Sequence, residues 1–232
     1  MKLTAFILSI FLLSACNNRT GKDIVDEMNK TIDVDNLSID SAKIFETAEL
    51  YKEIYNCNFE EFISDKNTPK LAKDIYLDNE WNLSKDTEAL ALLDSLTAKN
   101  KQTRPFYFKV VTKTYKKTDG YFSEGLGLIG KEYVENNTKE FLSYFSNVEC
   151  FTDMDLETWS NIVMLEFSMF GVELETNNIV QDYIKTLKAN CNDSKNILKR
   201  TLNKFCDCLM EKRQKLLNEI NQNIKIDKKP NR

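Results

Sequence analysis

Apolar residues recur at helical spacing along most of the chain, interrupted by short polar breaks. Ile24, Val25, Met28 and Ile32 predict a short helix over Asp23–Thr31. Ser41 then suits the N-cap of a long helix whose apolar stripe is Ile44, Phe45, Ala48, Tyr51, Ile54 and Tyr55. After a break near Cys57, Phe59, Phe62 and Ile63 continue the pattern. Asn67-Thr68-Pro69 closes that unit and opens the next, because proline fits a first helical turn. Leu71, Ile75 and Tyr76 give a short helix ending near Asp78-Asn79. Ser84 or Asp86 caps a helix that buries Ala89, Leu90, Leu92, Leu93 and Leu96.

One segment is ambiguous. Phe106 to Tyr115 alternates β-branched and aromatic residues, which favours a strand, while its neighbours are helical, which favours a helix. We read it as a helix that Asp119-Gly120 stops, followed by another running to about Asn136. Thr138 caps Lys139–Val148, with Phe141, Leu142 and Phe145 inward. Thr152 or Asp153 opens a strongly apolar helix carrying Leu156, Trp159, Ile162, Val163 and Phe167, with Gly171 as its C-terminal glycine. Asn177 or Asn178 starts the next, and Ser194 caps the last and longest, through Leu198, Leu202, Phe205, Leu209, Leu217 and Ile220. The expected fold is all-α, an irregular multi-helix bundle or solenoid-like stack forming a single domain over 23–226, with a flexible tail over 227–232.

The N-terminus follows a different pattern. Met1-Lys2 precedes an apolar run from Leu3 to Leu13, too short for the roughly twenty residues that span a membrane. It fits the apolar region of a secretory signal. The next residues, Leu13-Ser14-Ala15-Cys16, resemble the lipobox of bacterial lipoproteins: an aliphatic residue, two small ones and a cysteine. That resemblance implies a signal peptide over 1–15, cleavage before Cys16, a diacylglycerol on its thiol and acylation (palmitate or similar) of the new amino terminus. Two or three chains give stable anchoring, at about 0.8 kcal/mol per buried methylene. Residues 16–22 then form a polar tether. An Asp after the anchor cysteine resembles the inner-membrane retention signal of enteric lipoproteins; Asn17 stands there instead, which points to the outer membrane.

Two internal stretches carry a second resemblance. Pro105-Phe-Tyr-Phe-Lys-Val with Thr118-Asp-Gly-Tyr-Phe-Ser-Glu-Gly-Leu-Gly resembles a segment of helical lipoproteins of Bacteroidetes. Phe205-Cys-Asp-Cys-Leu-Met-Glu-Lys, preceded by Cys191, resembles a Cys…Cys-x-Cys helix module of small exported bacterial proteins. Neither implies an activity. Asp40-Ser41-Ala42 and Asp94-Ser95-Leu96 resemble a short O-glycosylation sequon of exported Bacteroidetes proteins, but Ser41 serves better as an N-cap and Ser95 falls inside a helix.

Composition narrows the chemistry. The 232 residues include no histidine, which removes histidine triads, histidine-ligated zinc and histidine acid–base catalysis. A net charge of −4 argues against nucleic acid, which needs a basic face. Gly125-Leu-Gly127-Leu-Ile-Gly130 matches the spacing of a dinucleotide fingerprint, yet Tyr121–Glu124 before it looks helical where a strand is required. Close helix packing explains the glycines better, and no cofactor is expected. Asp153, Asp155 and Glu157 alternate like the start of a calcium loop, but Thr158 replaces the glycine and Met164 the distal glutamate. Carboxylates in a first helical turn are what the macrodipole favours, so no metal is expected either.

Five cysteines follow Cys16: Cys57, Cys150, Cys191, Cys206 and Cys208. In an exported protein they are disulfide candidates, and an odd count leaves one unpaired within the chain. Cys206 and Cys208, two apart on a helix, face opposite ways and do not bond each other. Cys191 joining either of them would staple the last two helices. Four converging thiolates for zinc lack the usual C-x-x-C pairs.

The functional expectation is a lipid-anchored protein of the cell envelope that is not an enzyme. It binds another envelope protein as an accessory, inhibitor or immunity-type partner. The alternatives are a ligand-binding lipoprotein with an apolar pocket between helices, and an envelope hydrolase built on carboxylates or a serine.

Overall fold

The computed structural model describes residues 58–83, 86–98, 102–118, 120–145, 150–171 and 173–227. All lie in the larger of two units, Ala42–Arg232; the other is Met1–Ser41. The expected signal peptide, Cys16, the expected tether, the helices expected before Cys57 and the residues beyond 227 fall outside the described residues. Among those described, the protein is all-α with no strand. The helices are α1 (Glu60–Ser64), α2 (Lys70–Tyr76), α3 (Asp86–Thr97), α4 (Arg104–Thr114), α5 (Gly120–Asn136), α6 (Thr138–Tyr144), α7 (Asp153–Ser168), α8 (Glu173–Thr176), α9 (Ile179–Asn190) and α10 (Asn196–Asp227), with a 3-10 turn at Tyr115–Lys117.

The ambiguous segment is helix α4. Its alternating aromatic and β-branched residues are buried nearly all round, which satisfies both periodicities at once. Phe106, Phe108, Val110, Val111, Thr112 and Thr114 are all inside, because α4 is packed by α2, α3 and α7. Phe108 stacks on Trp159 of α7 at 4.4 Å and meets Tyr144 of α6, also at 4.4 Å. The Trp159 indole N–H donates to Thr112 Oγ1 (2.8 Å), whose own hydroxyl donates to the Phe108 carbonyl (2.7 Å). The one polar atom of this large ring is thereby satisfied inside the core. A second aromatic group, Phe59, Phe62, Tyr76 and Phe106, holds α1 and α2 against the start of α4.

Several helix ends differ from expectation. Asn137, not Thr138, is the N-cap of α6, and α6 stops at Tyr144. Thr138 instead turns its hydroxyl back onto the carbonyls of Val134 and Glu135. Gly120 begins α5 rather than stopping α4, which ends in the 3-10 turn. Helix α10 starts at Asn196, two residues after Ser194. Thr152 is the N-cap of α7 and forms a capping box with Asp155. Gly171 takes φ +54° shortly after α7, the left-handed conformation that glycine adopts without steric cost. No helix among the described residues is long and apolar enough to cross a membrane.

Candidate functional site

Helices α5 and α7 meet along the glycines. A Cβ on Gly127 would lie 2.8 Å from the Glu166 backbone nitrogen and 2.9 Å from Leu165 Cβ. One on Gly130 would lie 2.5 Å from Ile162 Cγ2. The G-x-G-x-x-G spacing is therefore a helix-packing seam, with Gly125 against Leu90 and Leu93 of α3 on another side of α5. Advancing from Gly127 to Gly130 moves back along α7 from Glu166 to Ile162, so the two helices are antiparallel.

The three acids opening α7 are each tied to a lysine. Asp155 accepts from Lys109 (3.0 Å) and from the Thr152 backbone (2.8 Å); Asp153 pairs with Lys204 (2.6 Å) and Glu157 with Lys212 (2.6 Å). The carboxylates point outward to separate partners on α4 and α10 instead of converging. Among the described residues no group of three potential metal ligands comes together. Ser95 lies inside α3 and donates back to the Ala91 carbonyl, which accounts for it as a helix residue.

The structure contains a polar cluster that sequence reading missed. Arg104, 6% exposed, donates to both oxygens of Glu140 (3.1 and 2.9 Å), to Asn137 Oδ1 (3.1 Å) and to the Ala98 carbonyl (3.0 Å). The Tyr144 hydroxyl donates to Glu140 Oε1 (2.9 Å), and the Tyr133 hydroxyl lies 3.3 Å from both. Burial, with the neighbouring Tyr144 and Glu140, pushes the Tyr133 phenol well above its ordinary value. Every strong group has a partner, and the cluster locks α4, α5 and α6 together.

The cysteines separate. Cys150 is disulfide-bonded, and Cys57 lies outside the described residues. The expected staple is not closed: Cys191 and Cys206 carry free thiols, so Cys191 is joined to neither Cys206 nor Cys208. Burial pushes the Cys191 thiol up, and the Cys206 thiol up to about 11. Between α9 and α10 a cavity of about 230 Å³ is lined by Lys188, Cys191, Asn192, Lys199, Leu202 and Asn203. Only Leu202 makes it apolar, so it does not match the apolar, aromatic pocket expected of a binder of hydrophobic ligands.

Among the described residues several large apolar side chains are exposed, Leu77, Met154, Ile197 and Met210 besides four on or beside α5 and α7. Tyr121 and Leu128, 57% and 44% exposed, lie seven residues apart on one side of α5. Met169 and Phe170, 67% and 41% exposed, follow the end of α7. One turn along the antiparallel pair from the Gly127–Glu166 contact brings Glu124 level with Met169 and Phe170. Tyr121 lies toward that end of the pair, while Leu128 stands at the middle of α5, one residue from the Gly127 contact. Glu124, Glu132, Glu173 and Glu175 are exposed around them. Comparison with family models, curated proteins and solved structures returns no match.

Proposed function

We propose that this protein is a lipoprotein of the bacterial cell envelope, anchored through Cys16, whose helical domain binds another envelope protein and catalyses no reaction. Leu13-Ser14-Ala15-Cys16 supports the anchor, and Asn17 supports the outer membrane as its location. The exposed group Tyr121, Leu128, Met169 and Phe170 carries the binding reading. Large apolar side chains exposed along a helix pair, among acids, suit a docking surface better than a solvated face. Anchoring raises the local concentration of such a patch, so modest intrinsic affinity suffices.

The test has two arms. Intact-mass measurement of protein from membranes should show acyl mass on Cys16, and Cys16→Ala should move the protein to the soluble fraction. In cross-linked envelopes, a stoichiometric neighbour should be lost on Leu128→Glu or Phe170→Glu while circular dichroism stays unchanged. A neighbour unaffected by both substitutions, or none, overturns the binding reading and leaves the anchor to stand or fall by itself.

A further inference from the structure

We propose that Cys191 and Cys206 are a matched dithiol, converted by a disulfide-type oxidant into a cross-link that closes the end of α9 onto α10. The pairing follows from helix geometry. Cys191 is the C-cap of α9 and shares its cavity with Lys199, Leu202 and Asn203 of α10. At 100° per residue those three occupy one arc of α10, and Cys206 falls within that arc, one turn beyond Leu202 and Asn203. Cys208 falls on the opposite side of the helix from Lys199. The sequence alone left Cys206 and Cys208 equivalent; the cavity distinguishes them.

Two further observations support the choice. Cys191 is near enough to Cys206 to act on its ionisation, and both side chains are buried, 1% and 4% exposed. Cys191 also lines the cavity together with Lys188 and Lys199, so the space an oxidant would enter lies against this residue. Burial and the Asp193 charge hold the Cys191 thiol up, against a hydrogen bond with Ser194 and the charges of Lys139 and Lys199. The chemistry is thiol–disulfide exchange. Cys191 loses its proton, and its sulfur attacks one sulfur of the oxidant, RSSR, expelling RS⁻ and leaving a mixed disulfide. The Cys206 thiolate then attacks the Cys191 sulfur and expels the second RS⁻. The two protein thiols give up two electrons and two protons, and RSSR becomes two RSH.

The test is to fold the whole chain with oxidised glutathione, block remaining thiols and map the disulfides. Trypsin and Asp-N together release Cys191 within Ala189–Asn192, and separate Cys206 in Phe205-Cys206 from Cys208 in Asp207–Lys212. The expected product joins Ala189–Asn192 to Phe205-Cys206, two hydrogens lighter than the separate peptides. Cys208→Ser should retain the link and Cys206→Ser should lose it. Because the bridge closes a short loop, oxidation should raise the thermal midpoint by about 5–10 °C in the wild type and in Cys208→Ser. A link from Cys191 to Cys208 overturns the proposal, and so does blocking of both Cys191 and Cys206 as free thiols after folding in the oxidant. Circular dichroism of each variant separates loss of the link from loss of the fold.

Discussion

The α5–α7 seam and the α9–α10 corner are both places where two helices meet, and they are built in opposite ways. At the seam the side chains are removed: Gly127 and Gly130 bring the helices to within backbone contact. At the corner the helices stand apart around a cavity, with lysines, asparagines and a thiol on its walls. Close packing makes the seam intolerant of added volume, because nothing there can move without parting two helices. The corner has room and solvent, so its residues are under little packing constraint. In this protein, candidate chemistry lies where packing is loose, and rigidity lies where the sequence imitates a cofactor motif.

The largest effect should come from the polar lock that holds the helices flanking the seam. Glu140→Ala leaves the Arg104 guanidinium buried without its carboxylate, and we expect a loss of about 3–5 kcal/mol by denaturant unfolding. Replacing both partners with apolar residues, Arg104→Met with Glu140→Leu, should restore most of that loss, since the cost lies in the orphaned charge. If the single substitution costs under about 1 kcal/mol, the cluster is a surface ion pair and does not hold α4 to α6.

The glycines give a graded series. Gly127→Ala meets backbone, which cannot rotate away, and should cost about 1–3 kcal/mol, less the roughly 1 kcal/mol that alanine returns in helix propensity. Gly130→Ala meets the Ile162 side chain, which can shift, and should cost less. Gly125→Ala meets only the end of Leu90 at 3.1 Å and should be near neutral or stabilising. Equal effects at all three positions would mean that the seam does not set the helix spacing.

How much of this was legible in the chain depends on how local the signal was. The seam could be read because three glycines at this spacing, preceded by a helical pattern, have one economical explanation. The acids of α7 were legible for the same reason: Thr152 and Asp155 cap within four residues. The Arg104–Glu140 lock was not legible. Arg104 stands beside Pro105 in a stretch whose own pattern is apolar and aromatic, and its partner lies 36 residues away on a helix whose pattern shows only Phe141, Leu142 and Phe145. Thr138 and Ser194 misled as caps because the same hydroxyl that caps a helix can also bond back to a carbonyl behind it or sit in a preceding turn. The cysteine pairing needed the relative rotation of two helices, which periodicity within either one does not contain.

Alkali should separate the regions next. Buried phenols and thiols must ionise as pH rises, and the folded state resists this: Tyr133 and Tyr183 are raised well above their ordinary values, and Cys206 from about 9 to about 11. Groups whose values are raised in the folded state support it below their unfolded values and lose that support as pH climbs through the folded ones. Stability should therefore be flat through neutrality and begin to fall above about pH 9. Cys206 alone should contribute on the order of 1 kcal/mol of loss by pH 10. In Cys206→Ala the decline should be shallower, with Cys191 and then the tyrosines still contributing. An unchanged steepness would mean that Cys206 titrates as an exposed thiol and that the corner is more open than its burial indicates.

The smallest effects test the corner directly. Lys188→Ala and Asn203→Ala remove side chains that line the cavity and are otherwise exposed, so each should alter stability by no more than about 0.5 kcal/mol. Leu202→Ala is the internal contrast: this side chain is buried, 3% exposed, at the edge of the same cavity, and its loss should cost about 2–3 kcal/mol. A buried leucine on α10 facing dispensable polar residues on both helices means that the cavity is held by its one apolar side chain. If Lys188→Ala or Asn203→Ala proved as costly as Leu202→Ala, the cavity walls would be structural in the way the seam is, and the contrast between a region built to be rigid and one left open would fail. If both are silent, the corner has side chains to spare, and Cys191 lines the cavity beside residues that the fold does not require.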